Sequence, residues 1–132
     1  PKSGVYLFRK GFDENGFVYP FPRPLAMRTP DHKPYLVSVE SLGGQIGVGP
    51  MKPGLVLFTE YIPGKVFRPS IQTAGEGVMG MLPFALSIRQ RSDLAFLVLN
   101  KIASHAIIAS GLRGDSETSA KTILNFVDKH VD

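Results

Sequence analysis

The clearest pattern along the chain is the apolar and aromatic run Gly54-Leu55-Val56-Leu57-Phe58-Thr59-Glu60-Tyr61, bordered by Pro53 and Pro63. Content of this kind between prolines predicts a strand. Tyr35 to Val39 predicts another, and Lys65 to Ile71 a further one. Near the start, Val5 to Arg9 and Phe17 to Phe21 flank Asp13-Glu14-Asn15-Gly16. The Asn-Gly step supplies the positive φ angles of a tight turn, so a β-hairpin is expected there. Pro20, Pro22, Pro24 and Pro30 interrupt the next stretch, and residues 20–34 are expected to run as an extended connection or edge segment.

In the second half, Phe84, Leu86 and Ile88 alternate with Ala85, Ser87 and Arg89. That period predicts a half-buried strand with Arg89 and Arg91 on its outer face. Ser92 and Asp93 are candidate caps for a mostly buried helix through Leu94 to Leu99, and residues 100–115 leave room for one strand. Asp115 and Ser116 then open a C-terminal amphipathic helix carrying Ala120, Ile123, Leu124, Val127 and Val131 at helical spacing. Its apolar stripe has to be covered by the sheet or by another subunit.

Composition narrows the chemistry. The 132 residues contain no cysteine, which excludes disulfides, thiolate metal sites and thiol catalysis. Three separated histidines leave little to hold a metal, and no metal site is expected. The apolar runs fall far short of the ~20 residues a membrane helix needs, so no membrane partner is expected. Lys and Arg number 15 against 11 Asp and Glu, and all of the net +4 lies in residues 1–70, together with ten of the thirteen aromatics. Cations that track phosphates, interleaved with rings that stack on bases, suit single-stranded nucleic acid. The competing reading is a soluble domain whose aromatics simply build strands.

Enzyme motifs do not develop. Gly75-Glu76-Gly77-Val78-Met79-Gly80 matches the dinucleotide fingerprint G-x-G-x-x-G, but Pro83 and an alternating pattern follow where the fingerprint requires a helix. A flexible glycine-rich loop is expected instead. Gly43 to Gly49 lacks the Lys-Ser/Thr pair of a P-loop. His32, His105 and His130 lie in no nucleophile motif, and Asp13 and Glu14 flank a turn where solvated charges are usual.

The strand Gly54 to Tyr61, a long connection, and then Phe84-Ala85-Leu86-Ser87-Ile88-Arg89-Gln90-Arg91-Ser92-Asp93-Leu94-Ala95-Phe96-Leu97-Val98 resemble the Whirly-fold family, most closely the kinetoplastid mitochondrial guide-RNA-binding proteins. Asp93 to Val98 matches that family's step from strand into helix, and Ser116 to Val131 sits where the family has its last helix. One departure is that the family repeats a four-strand-plus-helix unit, for which residues 100–115 are too short. The resemblance implies a twisted antiparallel sheet packed on helices, a homo- or heterotetramer, RNA or single-stranded DNA on the sheet face, no required cofactor, and a mitochondrial role in annealing or protecting RNA during editing.

The reading that results is an α+β, Whirly-like single domain over 1–132, with an N-terminal hairpin and proline-rich connection over 1–34 and the sheet and helices over 35–132. Its expected function is that of a non-enzymatic RNA-binding subunit, with contacts from Arg9, Lys10, Lys52, Lys65, Arg68, Arg89 and Arg91. The alternative is a scaffold or protein–protein interaction subunit that binds no nucleic acid.

Overall fold

The computed structural model of the chain describes residues 12–20, 23–85 and 89–131. The expected strand Val5 to Arg9 lies outside them; the turn after it is present, but over the described residues the expected strand Phe17 to Phe21 is reduced to single bridges at Val18. The Asp13 carboxylate accepts from the Asn15 and Phe17 N–H groups at 2.9 and 3.0 Å, and Gly16 takes a φ of 80°. Phe12 then bridges Val18, and Val18 bridges Met51 on its other side.

The strand expected over Tyr35 to Val39 forms over Pro34–Val37, and part of the extended segment before it pairs with it as an edge strand. β1 (Leu25–Arg28) and β2 (Pro34–Val37) form an antiparallel hairpin that is a sheet of its own. The prolines do not prevent it, because Pro24 precedes β1, Pro30 lies in the connecting turn and Pro34 begins β2, all positions where a missing N–H is tolerated.

The main sheet is built from β3 (Leu55–Tyr61), β4 (Ser70–Gln72) and β5 (Ile107–Arg113), in the order β3-β5-β4. β3 agrees with its sequence pattern, β4 occupies only the end of the strand expected over Lys65 to Ile71, and β5 is the one strand foreseen between residues 100 and 115. The chain is therefore mixed α and β, as expected, but its sheet is not wholly antiparallel. β3 and β5 run parallel over their full length, from Leu55 opposite Ile107 to Tyr61 opposite Arg113. Parallel strands need a long crossover, and here it contains β4 and two helices.

The first of these, α1 (Ala74–Met81), occupies the glycine-rich segment expected to be a loop. Two features outweigh the poor helix propensity of glycine. Thr73 and Glu76 form a reciprocal capping box, in which the Thr73 hydroxyl accepts from the Glu76 N–H and the Glu76 carboxylate accepts from the Thr73 N–H at 2.8 Å. Gly77 and Gly80 also let the helix close onto the sheet, since a Cβ at either would stand within 2.8 Å of Ile108 or Phe58.

The strand expected from Phe84 to Arg89 is not formed at its ends. Leu82–Phe84 is a 3-10 turn with Pro83 inside it, Arg89 and Gln90 form a turn, and residues 86–88 lie outside the described residues. α2 (Ser92–His105) comes next, with Arg91 in the capping position and no side-chain cap. It is amphipathic rather than mostly buried: Ala95, Val98, Ile102 and Ala103 are in the core, whereas Phe96 and Leu97 are exposed. Val98, Ile102 and Ala106 cluster with Val56 and Met81, while Val78, Ala103 and Ile108 join Val56 and Phe58. α3 (Ser116–His130) is the expected C-terminal helix, capped by Asp115 and in contact with β5. Of its stripe, Ile123, Val127 and Val131 are half-buried and Leu124 is exposed.

Candidate nucleic-acid interface

Alternation along a strand puts Tyr61 and Arg113 on one face, and the parallel register sets them side by side at the carboxyl ends of β3 and β5. The Arg113 guanidinium lies over the Tyr61 ring, 5.6 Å from its centroid, while Tyr61 as a whole remains 56% exposed. Such a pairing holds a cation at a fixed place without neutralising it. The chain leaving β3 stays close: the Ile62 N–H donates to the Arg113 carbonyl at 2.9 Å, and the Lys65 N–H to the Ile62 carbonyl at 3.2 Å. The turn closes through Gly64, whose φ of 77° suits glycine.

The segment then returns along β5. Phe67, 2% exposed, anchors it over Gly111, where a Cβ would stand 2.7 Å from the ring. Further on, the Lys65 carbonyl fills the space a Cβ of Gly114 would take. Lys65 and Arg68 thus flank a buried anchor and both are exposed. Among the described residues the ion pairs are Arg91 with Asp93 and Lys121 with Glu117, so Lys65, Arg68 and Arg113 have no carboxylate partner there. The nearby Asp115 carboxylate is already engaged. It accepts from the Thr118 N–H at 2.8 Å, and that hydrogen bond leads the causes that hold its pKa below the usual carboxylate value.

The other expected contacts are dispersed. Arg9 and Lys10 lie outside the described residues. Lys52 is exposed ahead of β3, a strand length of roughly 20 Å from Tyr61. Arg89 and Arg91 do not share the outer face of a strand, because Arg89 sits in a turn and Arg91 begins a helix, 3.7 Å from the Asp93 carboxylate. Arg113 was not among the expected residues. The apolar run Ile107 to Leu112, ending in Arg-Gly-Asp-Ser before a helix, is the signal that marks it as a strand end.

The glycine fingerprint fails on different grounds from those the sequence gives. A strand and a helix do enclose it, but its glycines lie within α1 and the protein's own Glu76 carboxylate occupies the helix start. Asp13 is likewise structural. Burial raises its pKa, but the N–H groups of Phe17 and Asn15 and the Tyr19 hydroxyl outweigh this and lower it overall. Among the described residues no group of three His, Cys, Asp or Glu is placed to hold a metal, and no helix is long and apolar enough to cross a membrane. A hollow of about 480 Å³ beside Phe12, Met81, Phe84 and Val98 has, among the described residues, an apolar side-chain lining without a catalytic group.

No protein-family model, no curated protein and no solved structure matches the chain. The functional reading therefore stands on the site itself.

Proposed function

We propose that the chain is a non-enzymatic single-stranded nucleic-acid-binding subunit, with RNA as its ligand. The observation that carries this reading is that the segment bearing Lys65 and Arg68 packs along the end of β5, where Arg113 lies over the exposed Tyr61, and that none of the three cations has a carboxylate partner among the described residues. Three cations at one edge suit successive phosphates, and the planar guanidinium groups can hold a phosphate through paired hydrogen bonds. The Tyr61 ring offers a stacking surface that accepts any base, so affinity comes without strong sequence preference.

Salt titration of binding to unrelated oligoribonucleotides of equal length tests this. Three phosphate contacts give a slope of log K against log salt of at least about −2, at ~0.7 for each contact to a single strand. Little discrimination between the sequences is expected, with weaker binding to a duplex whose bases are stacked away. A slope near zero favours the scaffold alternative, and strong discrimination between sequences removes the stacking account.

A further inference from the structure

The hairpin of β1 and β2 contributes to neither core cluster. All of its strand positions except Val37 are exposed, Leu36 to 72%. Pairing of Leu25 with Val37 and Met27 with Tyr35 collects four apolar side chains on one face, so the ribbon presents an apolar and aromatic surface. An isolated two-stranded hairpin is marginal in water, which makes an uncovered one a candidate for contact with a partner.

Its tip is held in shape. The Thr29 N–H donates to the Lys33 carbonyl at 3.0 Å, the Lys33 N–H returns to the Thr29 hydroxyl at 3.1 Å, and the His32 N–H donates to the Thr29 carbonyl at 2.8 Å. Arg28 and Lys33 flank this closed turn, Arg28 opposite Pro34 on the face of the ribbon away from Tyr35, both exposed and outside any ion pair among the described residues. Residues 24–37 carry Arg28 and Lys33 against Asp31 alone. A polyanion therefore complements the ribbon. Pro24 and Pro34 at the two strand starts blunt the edges against pairing with another chain, which disfavours a second copy adding a strand.

We infer that this hairpin is a second nucleic-acid contact, a preorganised basic arm in which Arg28 and Lys33 hold phosphates and the Tyr35 ring stacks on a base. The inference rests on the reading that the chain binds RNA. With three contacts at the carboxyl edge, the arm brings the full slope to about −3.5.

The test is fluorescence anisotropy with a labelled oligouridylate of about 20 nucleotides, long enough to span several contacts. Arg28→Ala with Lys33→Ala removes about 1.4 from the slope, which amounts to about 25-fold weaker binding at ~0.1 M salt relative to 1 M. Tyr35→Ala weakens binding about fivefold or more, whereas Tyr35→Phe, which keeps the ring, binds as wild type. Should the alanine pair lower the melting temperature, Arg28→Lys with Lys33→Arg keeps both charges and is expected to retain the slope. The arm is overturned if these changes leave affinity and slope intact while the Lys65, Arg68 and Arg113 variants lose binding, a result that leaves the carboxyl-edge reading standing. It is also overturned if Tyr35→Ala alters only the sedimenting mass, which makes the hairpin a subunit contact. Absence of salt-dependent binding by the wild type overturns both readings.

Discussion

Replacing Lys65, Arg68 and Arg113 together by alanine is expected to flatten the salt slope by about 2.1 and to weaken RNA binding about 100-fold at ~0.1 M salt relative to 1 M, at ~0.7 per lost phosphate contact. The size of the effect follows from position. These cations come from two segments drawn to one edge, and none of them meets a carboxylate among the described residues. Lys121→Ala with Lys129→Ala on α3 is the matching control. It removes cations from an element where Lys121 is already paired with Glu117 at 2.9 Å, and it should leave the slope nearly unchanged. Equal loss per cation in the two sets would mean that net charge alone drives association. Arg113→Lys separates charge from shape, because it keeps the cation and removes the planar group over Tyr61.

Gly114→Ala is the second large effect, and it acts through the scaffold of the same site. Gly114 is buried, and its Cβ would collide with the Lys65 carbonyl, a backbone atom that cannot rotate away. Relief requires the segment after β3 to shift, at an expected cost of about 2–3 kcal/mol, in the range of overpacking strain. That corresponds to a drop in melting temperature of roughly 10 °C for a domain of this size. RNA affinity should fall as well, because the displaced carbonyl belongs to Lys65. Gly75→Ala makes the contrast: nothing lies within 4 Å of its Cβ, it is helical, and alanine there is expected to stabilise by up to about 1 kcal/mol. A Gly114→Ala protein that melts with the wild type would show that the segment does not pack across the end of β5.

What the sequence discloses depends on whether the determinants are local. β3 is legible because its apolar run is closed by prolines, and α3 because Asp115 caps a helical stripe. The turn at Asp13 to Gly16 is legible for the same reason, since one side chain and one glycine specify it. α1 is not, because three glycines in eight residues read as a loop until Ile108 and Phe58 are known to need the space. β2 is legible in the run Tyr35 to Val39, but its pairing with β1 is hidden by prolines that mark breaks in sequence yet fall at strand starts and in the turn. The alternation from Phe84 misleads because Pro83 draws Leu82–Phe84 into a 3-10 turn. The site divides in the same way. Lys65 and Arg68 can be picked out as charges, whereas Arg113 joins them only through a parallel register that links residues about fifty positions apart in sequence.

The most direct test of the claim that RNA binds at the carboxyl edge is a map of backbone amide shifts during titration of the isotope-labelled 14.4 kDa chain with an oligouridylate. The account predicts that the largest changes at this edge fall in residues 61–68 and 111–115, on either side of the Tyr61 and Arg113 pair, and that they fade as salt is raised. Shifts that spare these residues and gather on α3, or shifts that persist unchanged at high salt, would contradict it.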